Sequence, residues 1–194
     1  MLFELAHVPM PDGYGEALLS LEDCKAHLRV EGNDEDDLIR ALRDAAIEFV
    51  ERYCGVKMGP VAGMVWRGEA LFSRADLAHQ DLGVWPVTQL VSVAWKDGGG
   101  EDVDGDVVDF RVTERGRLRP AVGGRWPAGI AGDVVVTFDA GFAKNACPPS
   151  LLQAARLMLA HLYMNREAVI VGQVSADAPL GVTALCGPFR PVRI

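Results

Sequence analysis

The longest uninterrupted helical pattern in the sequence runs from Pro148 to Glu167. Two prolines stand at its start, where a missing N–H costs little, and Ser150 is a suitable capping residue. No proline or glycine interrupts the 17 residues that follow. Apolar side chains repeat at helical spacing on one broad face, which consists of Leu151, Ala155, Met158, Leu159, Leu162 and Tyr163. We therefore predict a core helix over residues 149–167.

Apolar residues also lie on the opposite side of this predicted helix. They are Leu157, Ala160 and Met164. One interpretation is a helix covered on two sides within its own domain. The other is a helix that also contacts a neighbouring subunit, and these three residues are then the predicted inter-subunit contacts.

Two shorter helical patterns precede residue 55. Ser20 followed by Asp23 resembles a capping box and predicts a helix over 20–30. A longer helix is predicted over 34–54, because the acidic run at its start is favourable beside the positive end of a helix dipole. Its apolar stripe consists of Leu38, Leu42, Ala46, Phe49, Val50 and Tyr53. Its predicted polar face consists of Arg40, Arg43, Asp44, Glu48 and Glu51.

The pattern changes to short β-rich runs between residues 56 and 140. Strands are predicted at 64–67, 90–96, 107–112, 117–119 and 133–138. Helices before and after a small, mostly antiparallel β-rich centre define an α+β fold. We expect an irregular arm with a short extended start over 1–19, one domain over 20–167, and an extended, apolar C-terminal tail over 168–194. That tail either folds back on its own domain or docks on a partner.

Charge and cysteine content narrow the range of functions. The formal net charge of −8 over 194 residues argues against a general phosphate-binding surface. The four cysteines are far apart and form no CxxC motif, so we expect free thiols in a reducing cytoplasm. No secretory signal and no apolar run long enough for a membrane span is recognised.

The sequence contains no recognisable catalytic motif, and we expect neither an enzyme nor a cofactor. The acidic run 101–109 departs from a calcium loop, because Val107 stands at the glycine position and Thr113 at the glutamate position. We expect a solvated hairpin loop there. Cys24 and His27 share a helix face, but two ligands do not make a zinc site.

A basic cluster follows the acidic run. It consists of Arg111, Arg115, Arg117, Arg119 and Arg125. Alternation along a strand would place Arg115, Arg117 and Arg119 on one face. Such a face could meet phosphate or an acidic partner, or it could simply be the charged outer face of a sheet.

Several phrases together resemble tailed-phage head–tail connector proteins, also called adaptors or head-completion proteins. Residues 19–55 resemble the N-terminal signature of that family, in which a K-x-H-L-R-V-like phrase and an acidic turn precede a long helix. The phrase consists here of Lys25, His27, Leu28, Arg29 and Val30. Similar phrases follow at 85–93, at 134–142, in the helix ending at Glu167 and at 180–190. The Cys186-Gly187 pair departs from the longer apolar phrase expected there.

The resemblance implies a non-enzymatic ring, normally of twelve subunits, beneath the portal protein of a phage, prophage or gene transfer agent particle. The ring would extend the DNA channel without binding DNA specifically and would join the head to a stopper or tail protein. It would lie in the particle neck after assembly in the bacterial cytoplasm, without a membrane partner. The tail would dock on the portal through Leu180, Leu185, Phe189, Arg190 and Arg193.

Two rival interpretations come from other functional classes. The first is a small metal-dependent accessory enzyme that uses the acidic run 101–109. The second is a helix–turn–helix-like DNA-binding regulator built on the two N-terminal helices. Four acidic residues at the start of the second helix weaken the latter, because a recognition helix faces phosphates.

Overall fold

The structure is a computed structural model that describes residues 3–6, 8–68, 79–165 and 179–190. It confirms the α+β fold class, with helices and antiparallel sheets in one chain. The chain divides into two compact units. The β-rich unit combines Met1–Pro11 with Pro60–Gly141, and the helical unit combines Asp12–Gly59 with Phe142–Ile194.

The helical unit is built from five helices in the described residues. They are α1 (Tyr14–Leu18), α2 (Leu21–Leu28), α3 (Asp36–Cys54), α4 (Pro149–Met164) and α5 (Leu180–Cys186). Ser20 caps α2 by accepting a hydrogen bond from the Asp23 backbone N–H at 3.1 Å, as its sequence predicts. The core of this unit lies where α3, α4 and α5 pack together. None of the described helices has the length and apolar run needed to span a bilayer.

The β-rich unit contains two antiparallel sheets. Its strands are β1 (Phe3–Leu5), β2 (Val61–Gly68), β3 (Gln80–Asp81), β4 (Val87–Lys96), β5 (Asp102–Gly105), β6 (Phe110–Val112), β7 (Arg117–Pro120) and β8 (Val134–Ala140). The larger sheet has the order β1-β2-β8-β4-β5, and the smaller has the order β3-β7-β6. Alternate residues of the central strand β8 are buried, as expected for a strand with one face on the core. Trp66 on β2 is wholly buried opposite Val136.

Local structure differs from the sequence-based prediction at both ends of the chain. Residues 1–19 were expected to be an irregular arm with a short extended start. Strand β1 agrees with that start, whereas helix α1 was not predicted. Tyr14 and Leu19 are buried there, so this segment contributes to the core. In the tail, expected to be extended, Leu180–Cys186 forms a helix, followed by a 3-10 turn over Gly187–Phe189. The proposed division into arm, domain and tail stays a prediction.

The predicted polar face of α3 was partly wrong. Arg43 and Glu51 are only 5% and 4% exposed, whereas Leu38 from the predicted apolar stripe is exposed. The reason is that α1 packs against α3, which buries the side of the helix carrying Arg43 and Glu51. Gly15 permits this approach, because a Cβ there would lie 2.0 Å from Asp44 Oδ1 and 2.8 Å from Arg43 Nε.

Candidate docking and assembly surfaces

Helix α5 is held against the helices of its own unit. Val182 and Cys186 are wholly buried, and the Cys54 thiol on α3 lies 3.8 Å from the Cys186 carbonyl oxygen. Contact with α4 is equally close, since a Cβ added to Gly181 would lie 3.3 Å from Leu157 Cδ1. The described part of the tail therefore folds back on its own domain, which is one of the two alternatives left open by the sequence.

The end of the described tail is fixed by an arginine. The guanidinium of Arg190 lies over the ring of Tyr53 on α3, 4.6 Å from its centroid. Its Nη1 donates a hydrogen bond to the Tyr53 hydroxyl at 3.3 Å. Tyr53 also stacks on Phe49, with ring centroids 5.9 Å apart. Part of the predicted apolar stripe of α3 thus forms an aromatic platform for the tail.

The predicted docking residues have different environments. Leu180, at the first position of α5, is 89% exposed. Leu185 and Phe189 are half-buried, and Arg190 is exposed. Arg193 lies outside the described residues. Leu180 is therefore the large apolar side chain of this group that is available to a partner.

The predicted inter-subunit residues on α4 also differ from one another. Leu157 and Ala160 are half-buried, and Leu157 lies beside α5 of the same chain. Met164, at the end of α4, is 80% exposed. The second apolar side of α4 is thus partly explained by packing within the unit, and Met164 is the member that remains open to a neighbour. The assignment of these residues to a subunit contact stays a prediction.

The residues that resemble the connector signature, from Lys25 to Val30, lie at the junction between α2 and α3. Lys25 Nζ donates hydrogen bonds to Asp36 Oδ1 at 2.7 Å and to Asn33 Oδ1 at 3.0 Å. These contacts join α2, the acidic turn and the first turn of α3. The Tyr163 hydroxyl of α4 hydrogen-bonds to Glu35 at the same junction. The turn is thereby held by Lys25 of the phrase and by Tyr163 of α4.

A buried polar network was missed by the sequence reasoning. The Tyr14 hydroxyl hydrogen-bonds to Glu51 Oε1 and accepts a hydrogen bond from the Gly59 N–H at 2.8 Å. Glu51 also accepts hydrogen bonds from the Met58 N–H at 2.8 Å and from Lys57 Nζ at 2.7 Å. The network joins α1, α3 and the segment after α3. The sequence did contain one indication of a buried polar side of α3. Arg43 and Glu51 are eight residues apart, which places both on one side of the helix.

The acidic run 101–109 does not form the solvated loop that was expected over its whole length. Its first half is strand β5, which pairs with β4 in a hairpin. Asp102 makes an ion pair with Lys96 at 2.7 Å, and Asp106 accepts a hydrogen bond from the Val108 N–H at 3.1 Å. Among the residues that the structure describes, no group of three His, Cys, Asp or Glu side chains is placed to hold a metal ion.

Comparison with known proteins gives a family match in the N-terminal half. Residues 19–95 match the family model of the Phage gp6-like head-tail connector protein. The resemblance to head–tail connector proteins is confirmed. The match includes α2, the acidic turn and α3, together with β2 to β4. A comparison of the sequence with curated proteins gives no match.

Solved structures extend the likeness to the whole chain. A chain from the virion of a native gene transfer agent particle is 27% identical, with a TM-score of 0.69, and the alignment covers 100% of this chain and 97% of that chain. A chain from the neck of an empty gene transfer agent particle, computed with C6 symmetry, is 23% identical (TM-score 0.72; coverage 100% and 97%). A chain from the neck of a native particle, computed with C12 symmetry, is 24% identical (TM-score 0.70; coverage 98% and 97%). The last two likenesses are evidence for the fold alone.

Proposed function

We propose that this chain is a structural, non-enzymatic subunit of the neck of a phage-like particle, where it connects the head to the tail side. One observation carries the proposal. Residues 19–95 match the head–tail connector family model. The fold of the whole chain is similar to that of a protein from a gene transfer agent virion, and the two sequences are 27% identical. The two comparisons are independent in kind, because one rests on sequence pattern and the other on three-dimensional structure.

The proposed assembly is a ring of twelve copies beneath the portal protein, with a stopper or tail protein on its other side. The number twelve is the one that the resemblance to head–tail connector proteins implies. A ring requires head-to-tail contacts that close after a fixed rotation. DNA would pass through the channel without specific contacts, which agrees with a net charge of −8 because an acidic wall repels the phosphate backbone.

The portal contact is proposed to use the exposed end of α5. Leu180 is 89% exposed, while Val182 and Cys186, two and six residues further along, are wholly buried and fix the helix in place. A large apolar side chain on a fixed helix loses little conformational entropy on binding. The rigid attachment of α5 therefore makes Leu180 a suitable anchor for an apolar pocket on the portal.

A point substitution tests this proposal better than removal of the tail. Deleting residues 178–194 would remove Val182 and Cys186 from the core, so the deletion would disturb folding as well as docking. Leu180→Asp leaves the core intact, and a carboxylate at the first position of a helix is electrostatically favourable. We expect the free energy of unfolding to change by less than about 0.5 kcal/mol.

The assay is particle production in a strain that lacks the gene for this chain. The wild-type chain should restore DNA-filled particles with complete necks and should be found in those necks. Leu180→Asp should lower their number by about tenfold or more, the effect of losing about 1.4 kcal/mol of binding free energy. Val122→Asp is the matched control, because Val122 is 88% exposed in the β-rich unit and has no proposed role. Wild-type chain absent from the necks would refute the function, whereas full activity of Leu180→Asp would refute only the role of α5.

A further inference from the structure

Three arginines lie on one outer face of the smaller sheet. Arg111 on β6 is directly opposite Arg119 on β7, and Arg117 lies two residues before Arg119 on the same face of that strand. The inward-facing residues Phe110 and Leu118 are buried. We call Arg111, Arg117 and Arg119 the arginine face. Arg115, predicted from sequence to lie in this row, instead precedes β7 and places its guanidinium 4.0 Å from the centroid of the Trp85 ring.

Within the described part of the chain the arginine face has one carboxylate beside it, because Asp81 on β3 lies directly opposite Arg117 on β7. None of its members makes an ion pair there, and Arg111 uses its Nε to donate to the Pro120 carbonyl oxygen at 3.2 Å. Like charges directly opposite each other in an antiparallel pair are destabilising. The fold therefore gains nothing from placing Arg111 across from Arg119, and the arrangement favours a role in binding an anionic surface.

An acidic surface lies in the same unit, at the edge of the larger sheet. In the part of the chain that the structure describes, strand β5 is the last strand of that sheet and pairs with β4 alone. Its exposed side chains Asp102 and Asp104, with Glu101 just before it, form what we call the acidic edge. Among the ion pairs of the described residues, only Asp102 of this edge is engaged, with Lys96. No described carboxylate of the acidic edge pairs with the arginine face, although the two surfaces are separated by only a few residues in sequence.

We propose that the arginine face of one copy contacts the acidic edge of the next copy around the ring. This inference rests on the proposed function, because it requires a ring. A head-to-tail contact joins two different surfaces of the same chain, and these two surfaces have opposite charge. Each copy carries a net charge of −8, so copies repel one another unless local patches of opposite charge meet.

The expected role of the charges is to set the register of the contact. Exposed ion pairs add little affinity, but opposing like charges across an interface are strongly unfavourable. Charge reversal of either surface should therefore prevent ring closure. Reversal of both should restore it, because the signs are again complementary.

The experiment uses two charge-reversed variants in the strain that lacks the gene. One is Arg111→Glu/Arg117→Glu, and the other is Glu101→Arg/Asp104→Arg. All four side chains are exposed. Thermal unfolding checks that each variant folds, because Arg117→Glu places a second carboxylate opposite Asp81. The control is Arg40→Glu/Arg52→Glu, which makes the same change in net charge as the first variant on exposed positions of α3.

We expect each variant alone to lower the number of particles with complete necks by about tenfold or more. Expression of the two variants together should restore them, because an even-numbered ring can alternate the two kinds of subunit with complementary signs at every contact. The control should behave as wild type. A single chain that carries all four substitutions should also form rings.

Three results would overturn the inference. The first is normal rings from each variant alone. The second is failure of the two variants together while wild-type chain fills the neck. The third is intact rings of Arg111→Glu/Arg117→Glu that no longer retain DNA, which would assign the arginine face to phosphate instead of a neighbouring copy. Absence of wild-type chain from the neck would instead refute the proposed function itself.

Discussion

Substitution of Tyr14 by phenylalanine should destabilise the helical unit through its buried polar network. The Tyr14 hydroxyl hydrogen-bonds to Glu51 and accepts from the Gly59 N–H at 2.8 Å. The aromatic ring stays in Tyr14→Phe, so the apolar packing is unchanged. The substitution therefore isolates the contribution of one hydroxyl group that joins α1 to α3.

The magnitude follows from the groups that lose a partner. The Gly59 N–H loses its acceptor and Glu51 loses one donor, although Glu51 keeps its bonds from Met58 and Lys57. A buried polar group left unpaired costs about 1–3 kcal/mol. We expect the free energy of unfolding to fall by about that amount, because Glu51 is only 4% exposed and water cannot readily replace the hydroxyl.

The measurement is urea unfolding at pH 8, followed by the far-UV circular dichroism of the helices, because all four tryptophans lie in the β-rich unit. The slope m is compared between variants. Tyr53→Phe is the matched control, because its hydroxyl accepts one hydrogen bond from the exposed Arg190 and water can take its place. The control should lose less than about 0.5 kcal/mol. Equal losses in the two variants, or an unchanged free energy in Tyr14→Phe, would refute the reasoning.

The same network predicts a dependence on alkaline pH. Burial, followed by the negative charge of Glu51, raises the pKa of Tyr14 above its ordinary value. The folded protein then keeps a proton that the unfolded chain releases, so the stabilisation is complete below pH 10 and declines above it. We expect the difference between wild type and Tyr14→Phe to shrink by about 1.4 kcal/mol per pH unit above pH 10.

Two further predictions concern thiols and α4. Burial raises the pKa of the Cys24 thiol to about 11 and that of the Cys147 thiol to about 12. Both thiols should therefore resist iodoacetamide at pH 8 in the folded protein and react after unfolding in urea. Mass spectrometry of tryptic peptides measures the alkylation at each site. Rapid alkylation of the folded protein at either site would contradict their burial. Met164→Glu should change the free energy of unfolding by less than about 0.5 kcal/mol, whereas Leu157→Glu should lower it by about 2 kcal/mol or more, because Leu157 lies against α5. Equal unfolding midpoints for the two variants would show that Leu157 is not part of the core.

The sequence predicted the elements of this protein better than the faces that they bury. Helix α3 was placed within two residues of its observed start and ended where predicted, because acidic residues and Gly55 mark its ends. Its buried face was predicted incorrectly, since hydrophobic periodicity assumes that charged residues face water. Arg43 and Glu51 are buried with partners from α1 and from residues 57–59, and nothing in the sequence of α3 alone indicates those partners.

The sequence of the tail contains a helical repeat of apolar residues, but the glycines and prolines around it led to the prediction of an extended segment. Val182, Leu185, Cys186 and Phe189 are spaced i, i+3, i+4 and i+7, which is a helical repeat. Gly181, Gly187 and the nearby prolines favoured an extended prediction instead, because glycine and proline are poor helix formers. Burial of Val182 and Cys186 against α3 and α4 overrides that weak local preference.

The helical form of α5 decides between two ways in which the tail could contact a portal protein. Adding α5 as a strand to an exposed sheet edge of the portal would require its residues to leave the core. For Val182 alone that step would cost about 1.5–3 kcal/mol, before any cost of breaking the helix. Docking through the exposed Leu180 requires no such step, because α5 keeps its packing. A contact made by the folded helix is therefore energetically favoured over strand addition.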